Sequence, residues 1–294
     1  MRKSLLVAGM FLLAASCSNE SVNEVVNGQA VEAVAPVKVH VADFSVSLED
    51  ESRGGTRAAT DVADYNGINA ITLAFYSGSV EVYKSEQLKP DDSFGDFSLD
   101  LPMGSYTMVV IAYKSHESSP FELTSPTAAA YTGDHSFETF ATTQAVNITN
   151  TDAVNLNATL NRIVSKLEVH STDGKAENVK NVRMTFSAGG KAFNPTTGLA
   201  TVNTGFSNTV SVSAAVGTSS ISNTNFFLAT DEQTMNVTIE TLDNDGNALF
   251  TKTVENVPFK RNRITKLTGS LYTAGLTTAF LIEPTWVSEH NVAF

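Results

Sequence analysis

Cysteine occurs once in these 294 residues, at Cys17, and tryptophan once, at Trp286. A single cysteine forms no internal disulfide and no cysteine-based zinc site. Positive charge is scarce too: 19 Lys and Arg stand against 31 Asp and Glu, a formal net charge of -12. That balance argues against a nucleic-acid partner, because phosphate binding needs clustered Lys and Arg. The five histidines, His40, His116, His135, His170 and His290, are widely separated and none has a metal-ligand spacing such as H-E-x-x-H. Neither a G-x-S-x-G elbow nor a phosphate-cradling G-x-x-x-x-G-K-[ST] loop occurs. The sequence therefore offers no catalytic residues, no cofactor site and no metal site, and the expectation is a protein that is not an enzyme.

What the chain does have begins at its start. Arg2 and Lys3 precede an apolar run of eleven residues, 5–15, which is too short to cross ~30 Å of hydrocarbon as a helix. Ala14, Ala15 and Ser16 then lead directly to Cys17. Positive charge, short apolar core and small-residue end are the parts of a secretory signal. The small-small-Cys ending resembles a bacterial lipobox, in which the cysteine is acylated and becomes the new N-terminus. Acyl chains contribute about 0.8 kcal/mol per buried methylene, so several would hold the protein on a membrane. An ordinary signal peptide with an incidental cysteine is the alternative. Ser18, Asn19 and Glu20 resemble the surface-export signal of Bacteroidota lipoproteins, which implies an outer-membrane, surface-exposed lipoprotein. Without residues 1–17 the chain keeps 17 basic against 31 acidic residues, a formal balance of -14. Residues 18–36 show no clear period and end in Pro36, which suits a flexible tether.

The rest reads as strands and turns. Thirty-four threonines, with abundant Ser, Asn and Val, favour strands and turns over helices. Apolar and polar residues alternate over 37–48, 71–75, 80–83 and 97–101, and 106–113 is a strongly apolar strand. Further strands are expected at 163–169, 182–186, 210–216, 226–229, 237–242, 249–254 and 264–271. Asp243-Asn244-Asp245-Gly246-Asn247 reads as a hairpin turn; its glycine stands fourth from Asp243, whereas a calcium loop needs it sixth. Residues 125–143 are the least strand-like and suit a short helix or a loop. Lys260-Arg261-Asn262-Arg263 is the dense basic cluster and suits a strand start or local ion pairs. Many short strands with turns between them indicate an all-β chain of antiparallel sandwiches. With a boundary near Leu160, the organisation is a signal peptide (1–17), a tether (18–36), two β-sandwich domains (37–160 and 161–275) and a C-terminal tail or donor strand (276–294).

Three segments carry a resemblance. They are Leu101-Pro102-Met103-Gly104-Ser105-Tyr106-Thr107-Met108-Val109-Val110, then Asn161-Arg162-Ile163-Val164-Ser165-Lys166-Leu167, then residues 257–269, from Val257-Pro258-Phe259 to Thr268-Gly269. In this order, and behind a lipobox, they resemble the fimbrillin superfamily of Bacteroidales, the lipoprotein-derived subunits of surface fimbriae and their anchor and tip relatives. The resemblance implies two transthyretin-like β-sandwich domains and assembly by donor-strand exchange. In that scheme a trypsin-like protease cuts after an arginine and removes the first strand, and a neighbouring subunit's strand fills the groove. Residues 37–48 suit the removable strand, and Arg53 and Arg57, in a polar Gly-containing stretch, are the candidate processing sites. The implied partners are other fimbrial subunits, the outer membrane through lipid, and a host protein or glycan. Two alternatives accompany this role: a lipid-retaining fimbrial anchor, and a monomeric surface lipoprotein that binds glycans through Tyr76, Tyr83, Tyr131 or Trp286.

Overall fold

The computed structural model of the chain describes residues 33–45, 62–133, 135–273 and 281–283. Every regular element among them is a strand, so the fold is all-β. Stiff β-branched Val, Ile and Thr suit the pleated backbone and disfavour a helix.

The first half contains β1 (Val34–Ser45), β2 (Ala70–Ser77), β3 (Val80–Leu88), β4 (Asp96–Pro102), β5 (Gly104–Tyr113), β6 (Phe121–Ser125), β7 (Ala128–Tyr131), β8 (Thr139–Ile148) and β9 (Val154–Arg162). Seven of these form one sheet in the order β3-β2-β5-β8-β9-β1-β4. β8 pairs with β5 along its whole length but with β9 only through Phe140–Arg162 and Ala141–Asn161. The sheet folds over at that narrow joint. Its two parts enclose a core that includes Val37, Val39, Leu73, Phe75, Met108, Val110, Phe140 and Leu160.

The second half repeats this topology. It contains β10 (Ser165–Ser171), β11 (Asn181–Phe186), β12 (Ala192–Asn194), β13 (Leu199–Ala200), β14 (Phe206–Ser211), β15 (Ile221–Phe226), β16 (Glu232–Leu242), β17 (Ala248–Lys260), β18 (Ile264–Gly269) and β19 (Leu281–Glu283). The order β14-β11-β16-β17 matches β3-β2-β5-β8, and β18-β10-β15 matches β9-β1-β4. In each half the first strand runs parallel to the last and antiparallel to its other neighbour. Parallel neighbours need a long crossover, which the intervening strands provide. A second core, including Leu167, Met184, Phe186, Phe226, Ile239 and Leu267, fills this half.

The insertions differ in place and meet each other. β6 and β7 lie between β5 and β8, β12 and β13 between β11 and β14, and together they make a fourth sheet, β13-β12-β7-β6. A third cluster lies there, joining Tyr76, Val109, Ile111 and Tyr131 to Val164, Phe193 and Phe227. β2 and β5 therefore bury both faces, which is why 106–113 reads as a continuous apolar run rather than an alternating one.

Several boundaries differ from the sequence expectation. β1 begins at Val34, so Val34, Ala35 and Pro36 belong to a strand rather than to the tether. Residues 125–143, expected as a short helix or loop, supply β7 and the start of β8. The strands expected at 210–216 and 226–229 are β14 and β15, each displaced toward the N-terminus. In β15 the inward residues are Ser222, Thr224 and Phe226. Two of the three are polar, so no apolar alternation marks that strand. The cost of burying Thr224 is offset by a hydrogen bond with the amide of Asn208.

Candidate functional site

β1 is the element that the fold singles out. Ala35, Val37, Val39 and Val41 point into the first core at 0 to 1% exposure, while Pro36, Lys38 and His40 face solvent. Its backbone is paired on both sides: Val37 opposite Leu99 of β4, and Val37 opposite Val154 of β9. Burial of three valine side chains is worth roughly 5–9 kcal/mol before ordering costs. Without β1, the edges of β4 and β9 would both present unpaired N–H and C=O groups beside an apolar groove. On the rim, His40 Nδ1 lies 2.7 Å from Asp96 Oδ1 across the β1–β4 pair. Cys17, Arg53 and Arg57 lie outside the described residues, as do the strand residues expected at 46–48.

The three resembling segments take related positions. Pro102 and Gly104 form the turn between β4 and β5, and Tyr106 Oη donates to the Pro102 carbonyl at 2.8 Å. A Cβ at position 104 would stand 3.0 Å from that Oη, so glycine leaves room for the ring to lie over its own turn. The other two segments are paired with each other. Lys166 of β10 stands opposite Ile264 of β18, and the amides of Asn262 and Lys166 donate to the carbonyls of Val164 and Arg263. Asn262 has φ 57°, a left-handed conformation that asparagine tolerates.

Arg162 is the hub of this region. Its Nε donates to Glu138 Oε1 at 2.7 Å, Nη2 to Tyr65 Oη at 3.1 Å and Nη1 to Asn262 Oδ1 at 3.1 Å. Tyr65 Oη also donates to Glu138 Oε1 at 2.6 Å, and the guanidinium lies 4.9 Å from the centre of the Phe140 ring. One side chain thus ties the segment that leads into β2, the start of β8, the end of β9 and the turn before β18. A polar cleft of about 720 Å³ opens beside it, lined in part by Lys260, Arg261 and Arg263. Lys260 pairs with Glu232 at 2.8 Å and Arg261 with Asp231 at 2.7 Å. The basic cluster makes local ion pairs, as expected, but stands at the turn between β17 and β18 rather than at a strand start.

The remaining candidates are placed as follows. The Asp243 carboxylate accepts from the amides of Asp245 and Asn247 at 2.9 and 2.8 Å, which closes the turn between β16 and β17. Among the described residues no group of three His, Cys, Asp or Glu side chains could hold a metal ion. Tyr76 and Tyr131, proposed as sugar platforms, are corrected by the structure: both are buried, at 0% and 3% exposure, in the third cluster. The Tyr76 hydroxyl is pushed up to about 12, by burial first and then by the Glu81 carboxylate. Tyr83 is half-buried, with its ring 6.4 Å from that of Phe75. Trp286 and His290 lie outside the described residues. The tail contributes β19, which pairs antiparallel with β18 of its own chain. Sequence reasoning missed Tyr65, Glu138 and Asn262 as partners of Arg162, because they are 97, 24 and 100 positions from it.

Residues 35–293 match the model of a family of unknown function (DUF6562). No curated protein matches the chain. Among solved structures, the fimbrial anchor protein Mfa2 from Porphyromonas gingivalis superposes with a TM-score of 0.53, covering 86% of this chain and 98% of that one at 9% identity. A candidate adhesin from Bacteroides ovatus superposes with a TM-score of 0.50 at 12% identity, covering 79% of this chain and 88% of that one. A second from the same species gives 0.50 at 11% identity, with 84% and 95% covered. At such identities the likeness is one of fold, and it is the fold of the fimbrial proteins that the sequence resembles.

Proposed function

Because the chain belongs to the family of unknown function DUF6562, we propose its role from its own structure: a structural and adhesive subunit of a surface fimbria, exported as a lipoprotein acylated at Cys17. Cleavage after Arg53 or Arg57 would separate β1 from the body, and a strand of a neighbouring subunit would take its place between β4 and β9. The observation that carries this reading is β1 itself. It is a strand that alternates from Ala35 to Val41 and is inserted between two others, and the processing candidates follow it in sequence. Each half, 37–160 and 161–275, is then a sandwich domain, a division supported by the repeated strand order and the separate cores. The partners are other subunits, and the outer membrane through lipid until cleavage.

N-terminal sequencing of the protein released from the cell surface tests this directly. The proposal expects a mature terminus after Arg53 or Arg57 and a ladder of polymers that survives mild denaturation. A surface form that still begins at acylated Cys17 and remains monomeric would overturn the polymer subunit and leave a lipid-retaining anchor.

A further inference from the structure

The most distinctive cavity outside β1 lies where the loop before β8 meets β15. It has a volume of about 330 Å³, and its walls include His116, His135, Ser136, Phe137, Asn223 and Asn225. No Asp, Glu, Lys or Arg lines it among the described residues. Ser136 forms an antiparallel bridge with Asn225 at the outer edge of β15, so the two halves of the chain build the cavity together.

We infer that this cavity binds a neutral saccharide of one or two rings. Three features point to that chemistry. Phe137 is half-buried, with the imidazoles of His116 and His135 at ring-centre distances of 5.6 and 6.3 Å, so an apolar aromatic wall is present. Asn223 and Asn225 are outward residues of β15, set opposite in phase to the inward Ser222, Thr224 and Phe226. Their amides offer both donors and acceptors, as vicinal hydroxyls require. The Ser118 backbone N–H and hydroxyl lie 3.2 and 2.8 Å from His116 Nδ1, so that nitrogen is occupied within the chain and Nε2 is the one left to meet a ligand. An aromatic wall with uncharged polar groups fits a ligand that has apolar C–H faces and hydroxyl edges. Among the described residues that line it, none offers a counter-charge to a free ion or a charged peptide. The volume is at the lower end of small-molecule sites. This inference uses none of the residues of β1 and does not depend on the assembly proposal.

The test is saturation-transfer NMR and calorimetry on the full chain with the methyl glycosides of glucose, galactose, mannose and N-acetylglucosamine, with glucuronate and glucosamine as charged probes. At least one neutral glycoside should bind. Asn223→Ala, at an exposed strand position, should weaken it by about tenfold or more. Binding unchanged in Asn223→Ala, a clear preference for a charged probe, or no binding by any neutral glycoside would each overturn the inference. Phe137→Ala serves as a second variant; if it does not fold, Asn223→Ala decides alone. Polymer ladders are read separately, so failure here is distinct from failure of the fimbrial role.

Discussion

Arg162 at the end of β9 and Glu138 at the entry to β8 form an ion pair in which the side chains are only 14% and 18% exposed. Glu138 also accepts from Tyr65, and Arg162 also reaches Asn262, so neither charge relies on a single partner. A largely buried pair adds little compared with a well-packed apolar one, yet losing one member leaves the other charge stranded.

Arg162→Ala should therefore destabilise the protein by roughly 2–4 kcal/mol, read as a lower urea midpoint. Glu138→Gln should cost less, because it keeps an oxygen for Tyr65 and Arg162. The double variant should cost less than the sum of the two. Strict additivity in that cycle would show that the pair does not couple.

The phase of β1 predicts a sharp contrast between neighbours. Val39→Asp places a carboxylate in the first core and should cost about 3 kcal/mol or more. Lys38→Asp, one residue away on the solvent face, should stay within about 0.5 kcal/mol. Thermal melts of the two variants measure this. Equal effects would mean that β1 is not seated with this alternation.

Asp173 supplies a pH dependence. Partial burial opposes its charge, but backbone donors outweigh that and hold the carboxyl below the ordinary aspartate range. The amides of Leu271, Tyr272 and Thr273 all donate to it at 2.8 Å. Because the folded value is depressed, its contribution is fully present above the unfolded value near pH 4 and declines as pH falls through the folded value. Asp173→Asn should flatten the stability profile below about pH 4. An unchanged acid limb would remove Asp173 from the account.

Tyr106 holds the turn after β4 through the hydrogen bond to the Pro102 carbonyl, so Tyr106→Phe should cost about 0.5–1.5 kcal/mol. Gly104→Ala brings a methyl against the same ring, at distances of 3.0 to 3.4 Å, and should lower the melting temperature unless the ring shifts. Applied to the Tyr106→Phe protein, Gly104→Ala should cost less, since the hydroxyl nearest the new methyl is gone.

The strands of the two cores were readable where apolar residues alternate. β1 shows this through Val37, Val39 and Val41, and β11 through Val182, Met184 and Phe186. β15 carries no such alternation, because Ser222 and Thr224 point inward. The repeated topology left no visible repeat in the residues, since the two halves share strand order rather than side chains. The fourth sheet was hidden for another reason: β7 pairs with β12, more than 60 positions away, through only two residue pairs. The saccharide cavity was equally hidden, because His116, residues 135–137 and residues 223–225 come together only when the two halves pack.

By itself the sequence determined the local features: an acidic composition poor in cations, and strands wherever a period of two runs through Val, Ile, Phe and Leu. These depend on neighbours a few residues apart, where side-chain chemistry and backbone preference act directly. Tertiary structure alone decided that β1 lies between β4 and β9, that Arg162 meets Glu138, and that the hydroxyl of Ser136 is buried at the edge of β15. Each of these joins segments distant in the chain. Their contact is set by the closing of long loops and by the burial of shared apolar surface, and neither leaves a mark on any short stretch of residues.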